Sequence, residues 1–307
     1  MRDEDKIRKM EALISLMDEP DPAVFADISL SIEAYGSEII PFLEHAWEEQ
    51  ADPYLQKRFE ELIHTIQYQA VCHDLEKWIE RGATDLLEGC LIVARYQYPG
   101  IEESEIEYEL SRIRKDIWLE LNDNLTALEQ IKVFNYVFHE LHGFRGNTEN
   151  YHSPENSYIN KVLESKTGNP LSLSIIYLLV AQSLDIPVKG VNMPEHFVLA
   201  YTGSSLNPDT MEYSGNNILF YINVFSKGNV FSFMDVEVFL KQLKKEPKPA
   251  YYSPCTNTDI VMRMLNNLMN AYQKSSETRK FEEIKNMSVI FEHKVKKLLN
   301  EKKQDQQ

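Results

Sequence analysis

The sequence predicts a mainly helical α+β protein with a small antiparallel sheet. Three observations carry that prediction. Long stretches on both sides of the middle show apolar residues at helical spacing; the segment GNPLSLSIIYLLVAQS is apolar on nearly every side; and VKGV, HFVLAY and NILFYINVF follow it as strand-like runs rich in β-branched and aromatic residues.

The helices begin at recognisable signals. Asp21-Pro22 and Asp52-Pro53 each supply an N-cap acceptor followed by a proline at the first helical position, where a missing N–H costs nothing. Leu55, Phe59, Leu62 and Ile66 then share one face of DPYLQKRFEELIHTI, and SEIIPFLEHAWEE lies between the two starts as another short helix. The two similar units suggest a helical-repeat pair. Further helices are read in LEKWIERG, in DLLEGCLIVARYQYPG and from Thr126 to Gly143, the last with Leu128, Ile131, Phe134, Val137, Phe138 and Leu141 as its apolar side. FRGNTENYHSPEN breaks the regularity before the helix SYINKVLESKTG. Asn169 is the expected cap of the central helix, with Pro170 as its first residue. Gly203, Asn207-Pro208 and Ser214 to Asn217 signal the turn between the last two strands.

The expected organisation is an N-terminal helical segment over 1–69 and a central domain over 70–243, helical to 150 and with its core in 151–243. A linker over 244–254, KKEPKPAYYSP, and a helical C-terminal segment over 255–307 follow, the tail EKKQDQQ being frayed.

Composition excludes several functions. Acidic residues outnumber basic ones 48 to 32, for a net charge of −16, which speaks against nucleic acid and against anionic membrane surfaces as partners. The charged start lacks the apolar core of a signal peptide, and the run from Ile175 to Ala181 is too short to cross a bilayer, so a cytoplasmic location is expected. Cys72, Cys90 and Cys255 form no CxxC pair; neither a disulfide framework nor a zinc knuckle is expected, and no cofactor is implied. HELH at 139–142 sets His139 and His142 three apart, with His152 nearby, but lacks the spacing of a metalloprotease motif and is read as a structural pair rather than a metal site.

GFRGN at 143–147, ENSYINKVLE at 155–164, GNPLSLSIIYLLVA at 168–181 and PEHFVLAY at 194–201 together resemble the transglutaminase-like superfamily, and more closely its SirB1-type branch. The resemblance covers roughly residues 70–240 and implies a papain-like core. In the superfamily's enzymes a cysteine at the start of the central helix attacks an amide, a histidine on the next strand activates it, and an aspartate on the following strand orients the histidine. A helix N-terminus and a neighbouring imidazole both lower a thiol pKa. Those positions fall on Pro170, His196 and Asn223, and the glycine usual before the histidine is Glu195, whose carboxylate would raise the imidazole pKa if it points inward.

The resemblance therefore implies a non-catalytic module for binding or scaffolding, with a protein or peptide partner. Its alternatives are an acyl-transfer enzyme or amide hydrolase using Ser172 or Ser174 with His196 and Asn223, and a helical-repeat adaptor. The expected role of the two serines is to bond backbone carbonyls one turn earlier or neighbouring groups, and the three cysteines are expected to be ordinary packing residues rather than nucleophiles.

Overall fold

A computed structural model describes residues 2–206 and 213–304, so the expected turn at Asn207-Pro208 and the last three residues of the tail lie outside the described residues. The helices are α1 (Arg2–Ile14), α2 (Pro22–Glu33), α3 (Ile40–Glu49), α4 (Pro53–Glu80), α5 (Leu86–Arg95), α6 (Glu103–Glu120), α7 (Ala127–Asn135), α8 (Ile159–Ser165), α9 (Pro170–Ser183), α10 (Phe233–Gln242), α11 (Asn257–Lys274) and α12 (Thr278–Gln304). The strands are β1 (Arg145–Gly146), β2 (Thr167–Gly168), β3 (Val188–Met193), β4 (His196–Leu206), β5 (Tyr213–Asn223) and β6 (Asn229–Phe231). Among the described residues no helix is long and apolar enough to cross a membrane.

The chain divides into two units, one of residues 1–77 with 95–99 and one of residues 78–94 with 100–307. In the first, both Asp-Pro starts act as read. Asp21 accepts from the N–H groups of Ala23 and Val24, and Asp52 accepts from Tyr54 at 2.8 Å. Ile32, Ile39, Leu43, Phe59, Leu62 and Ile66 close its core. Arg58 stacks over Phe25 with its guanidinium carbon 3.8 Å from the ring centroid while donating to the carbonyls of Met17 and Glu19. DPYLQKRFEELIHTI and LEKWIERG, expected as separate helices, are one: with no Gly or Pro between residues 54 and 80 nothing stops α4, and it passes through the expected boundary at 69/70.

In the second unit α9 is the centre. It is buried along its length, including Leu173, Ile176, Tyr177 and Ala181, and it packs against β3 and β4 on one face of the antiparallel sheet β3-β4-β5-β6. Val191, Met193, Val198, Ala200 and Tyr221 point from the other face to Val236 and Leu240 of α10. The sheet is thus sandwiched between two helices, and strand alternation sorts His196 to Tyr201 of β4 to one or the other. The fourth strand, β6, is only three residues long and pairs with Tyr221 to Asn223. The hairpin of β4 and β5 is longer than the turn signals suggested: Gly203 and Ser214 to Asn217 belong to the strands.

Two further segments depart from expectation. The Thr126–Gly143 helix changes to a π-helical turn over Tyr136–Leu141, whose extra residue per turn rotates Leu141 out to solvent. Residues 244–254, expected as an irregular linker, contain a 3-10 turn at Pro249–Tyr251 and lie against the sheet. Tyr252 stacks on Phe233 at 4.7 Å, and its carbonyl accepts from the Tyr221 hydroxyl at 3.0 Å.

Leu75, Trp78 and Ile79 are buried at the end of α4; within the second unit the Trp78 indole donates to the Asp85 carbonyl at 2.7 Å and stacks on Phe291 of α12.

Candidate functional site

The cleft forms around the start of α9, and an asparagine network builds it. Asn169 takes the N-cap position: its side-chain oxygen accepts from the N–H groups of Leu171 and Ser172, each at 2.9 Å. The Ser172 hydroxyl receives the Asn169 N–H in return, closing a capping box around Pro170. Asn169 also donates to the Ser157 hydroxyl at 2.9 Å. Asn156 accepts from Asn147 and donates to the carbonyls of Asn150 and Tyr151, so the loop between β1 and α8 is pinned over the helix start rather than left irregular. Parallel pairing of β1 with β2 brings GFRGN beside the GNP turn.

Ser172 and Ser174 are fully committed to the backbone. The Ser172 hydroxyl donates to the Asn156 carbonyl at 2.6 Å, and Ser174, at 0% exposure, donates to the Pro170 carbonyl at 2.7 Å. Pro170 supplies neither a thiol nor a backbone N–H. Because the next two N–H groups are taken by the Asn169 cap, the helix start offers no free donor pair of the kind an oxyanion requires.

His196 lies on the other face of the sheet. It follows the two-residue turn Pro194-Glu195 that joins β3 to β4, paired with Met193. Its ring lies 5.4 Å from that of Phe239 on α10. A cavity of about 200 Å³ is lined by His196, Asn223, Asn229, Asp235 and Phe239, so the structure brings His196 and Asn223 together, but neither serine joins them. Asn223 spends its side-chain oxygen capping the turn at 224–226, accepting from the Ser226 N–H at 3.2 Å. Phe197, the neighbour of His196, faces the α9 side instead, where it lines the cleft with Pro170 and Leu171.

Burial pushes the His196 pKa down, helped by Arg263; Glu195 opposes this but does not reverse it, and Nδ1 is buried with no hydrogen-bond partner among the described residues. Glu195 itself adopts φ +60°, the left-handed region that a glycine enters without strain. This explains why a glycine suits that turn. Here the strained residue places a carboxylate at the cleft.

His139 and His142 do not converge on a common centre. His139 donates from Nδ1 to the Phe144 carbonyl at 2.7 Å, while His142 bonds Asp116 at 2.9 Å, and no group of three or more potential metal ligands occurs among the described residues. Cys90 and Cys255 are each pushed up to about 12, chiefly by burial, which leaves the thiols protonated and unreactive.

Burial lowers the pKa of His139, His142 and His196 alike. The unfolded chain therefore takes up protons first, near the ordinary histidine value of about 6.5, so stability is level above pH ~7 and falls as the pH drops below that value. Urea midpoints should be lower at pH 5.5 than at pH 7.5, and His196→Gln should flatten the fall. A variant with the same pH slope as the parent would show that His196 is not held neutral.

The cleft at the start of α9 encloses about 560 Å³, and its α11 wall was not anticipated from the motifs. Its wall includes Tyr151, His152, Asn169, Pro170 and Glu195, and α11 supplies Arg263, Asn267, Asn270 and Lys274. These four follow at steps of four, three and four, one stripe of a helix whose buried side carries Ile260, Met264, Leu268 and Tyr272. That polar stripe in NTDIVMRMLNNLMNAYQK was the available signal. Arg263 donates to the Asn192 side chain at 2.9 Å and to the Met193 carbonyl at 3.3 Å, which ties α11 to the β3–β4 turn.

The helix–sheet–helix core and the cleft at the start of its central helix define a transglutaminase-like domain. The model of the transglutaminase-like superfamily matches residues 104–266, and the chain belongs to that superfamily. Among curated proteins it is 35% identical over 123 residues to a UPF0162 protein of Xylella fastidiosa, covering 37% of this chain and 41% of that one. It is 27% identical to a UPF0162 protein of Vibrio cholerae over 62% of this chain and 67% of that one. A mouse F-box only protein 21 is 31% identical over 46% of this chain and 21% of its own length. The matches thus span about two fifths of the Xylella protein and a fifth of the mouse protein. No solved structure matches.

Proposed function

We propose that this chain is a non-catalytic member of the superfamily, of its SirB1-type branch, whose cleft binds a peptide or small ligand and whose role is that of a binding or scaffold module. One observation carries the reading: Pro170, at the position the resemblance gives to a nucleophile, starts α9 on one side of the sheet, while His196, at the position it gives to the base, lies on the other. The polar side chains nearest Pro170 are consumed by capping and by backbone carbonyls. The match to one fifth of an F-box only protein supports the idea of a module carried within a larger protein. A cytoplasmic setting agrees with three cysteines that form no disulfide.

The test is an assay of the purified chain against amide hydrolysis and transamidation substrates, with fluorophosphonate labelling of serines. The expected result is no turnover and no label on Ser172 or Ser174. Turnover abolished by His196→Ala, or a labelled serine whose labelling needs His196, would overturn the reading.

A further inference from the structure

We propose that the cleft at the start of α9 binds its ligand through a carboxylate, received by Arg263 and Lys274. The proposal rests on the binding reading above and specifies its ligand chemistry.

In a chain with 48 acidic and 32 basic residues, cations find carboxylate partners easily. These two do not: among the described residues neither Arg263 nor Lys274 forms an ion pair with an acid. Arg263 is partly buried, and among the described residues its side-chain bonds run from Nη1 to the Asn192 oxygen and the Met193 carbonyl. A guanidinium withdrawn from water without a counter-charge is a costly arrangement, and an arriving anion relieves it. The two Nη1 bonds fix the planar group while Nε and Nη2 keep their donors, and that remaining fork matches the two oxygens of a carboxylate. Burial lowers the Arg263 pKa, in the direction desolvation requires, yet a guanidinium stays charged throughout the physiological range.

Lys274 lies on the same stripe of α11. Its Nζ sits 2.8 Å from His152 Nε2 and 3.2 Å from Nδ1, so the lysine is held against an imidazole edge and not against a carboxylate. Asn267 and Asn270 line the cleft between the two cations, their side chains bonding no other side chain or carbonyl among the described residues, and they suit the amide groups that precede a peptide carboxylate. Glu195 stands at the same cleft, so two cations face one fixed carboxylate. That balance suits a single negative charge and disfavours a doubly charged phosphate. The α9 start adds its dipole but no donors, since Pro170 has none and Asn169 has taken the next two, which leaves recognition to side chains.

A peptide C-terminus and a free dicarboxylic acid present the same group. The experiment uses the full chain and a fluorescent N-acylated mixture of short peptides ending in a free carboxylate, the same mixture amidated, and succinate and inorganic phosphate as competitors. Saturable binding of the acid form is expected, about tenfold weaker for the amide and for Arg263→Gln, which is the loss of one charge-assisted bond of ~1.4 kcal/mol. Glu195→Gln, at an exposed turn, should tighten the acid form about threefold without threatening the fold, and Arg263→Lys should fall between the parent and Arg263→Gln.

Succinate and phosphate are also titrated directly by calorimetry: succinate binding with no peptide binding would support the site and assign it to a free acid, and preference for phosphate would overturn the single-charge assignment. Acid and amide binding equally, unaffected by Arg263→Gln, would overturn the carboxylate while leaving a binding cleft. No binding of any acid probe would also overturn it. Hydrolysis of the peptides would instead bring down the non-catalytic reading itself.

Discussion

Phe138→Ala should cost the second unit about 4 kcal/mol, the largest loss expected from any single truncation in it. Phe138 is fully buried in the π-helical turn, its ring stacked on Phe144 at 4.4 Å and set edge-on to Tyr177 of α9 at 5.3 Å. Phe134 in turn stacks on Tyr177 at 3.9 Å. Removing the ring empties a space that rigid aromatic neighbours cannot fill, so the cavity adds to the lost transfer free energy. Tyr136 and Leu141 of the π-helical turn face solvent, so the turn meets the core through Val137, Phe138 and His139, of which Phe138 is the largest. Urea unfolding read at a far-ultraviolet signal should show a lower midpoint with little change in slope. A loss under ~1 kcal/mol would mean that the cluster is looser than its geometry implies.

Gly228→Ala should cost about 3 kcal/mol. Gly228 has φ +69°, and a Cβ built there would lie 2.1 Å from the Asn135 side-chain oxygen. Asn135 has no freedom to withdraw: it donates to the Gly228 carbonyl at 2.8 Å and accepts from the Tyr177 hydroxyl at 3.0 Å. Alanine therefore brings left-handed strain of about 1 kcal/mol and breaks a buried hydrogen-bonded chain from the β5–β6 turn to α9, worth roughly 1–3 kcal/mol. A double-mutant cycle separates the two. In an Asn135→Ala background the clash is gone, and Gly228→Ala should then cost only the backbone strain. Equal costs in both backgrounds would show that Asn135 is not the obstacle.

Much of the fold was legible because its signals are local. Asn169-Pro170 marks a helix start through chemistry within four residues, and the three longer strands announce themselves by β-branched and aromatic content. The π-helical turn was not legible, since the apolar spacing of NYVFHEL continues that of α7 and one extra residue per turn leaves no compositional trace. Nor was β6, whose three residues acquire strand character only from pairing with β5. The cleft was half legible. The motif around Pro170 located it, and alternation required His196 and Phe197 to face opposite ways, but which of them met α9 depends on which sheet face that helix covers. Arg263 joins the site from 71 residues beyond Asn192, a long-range contact that no local pattern encodes.

The Asn169-Pro170 start of α9 has a consequence for how this chain could change. A reactive residue at a helix start normally sits in a compromised position, with its backbone N–H left open and its neighbours arranged around the reaction instead of around the helix. Here the same turn is built for rigidity: a capping box encloses it, and the proline limits the disorder of the unfolded chain. A cysteine placed at position 170 would loosen that turn while gaining nothing, because the histidine on β4 would still face α10. Bringing that histidine to the α9 side would need β4 to slip by one residue and carry all of its own side chains to the opposite face of the sheet, so a single substitution at the helix start cannot assemble a thiol–imidazole pair here.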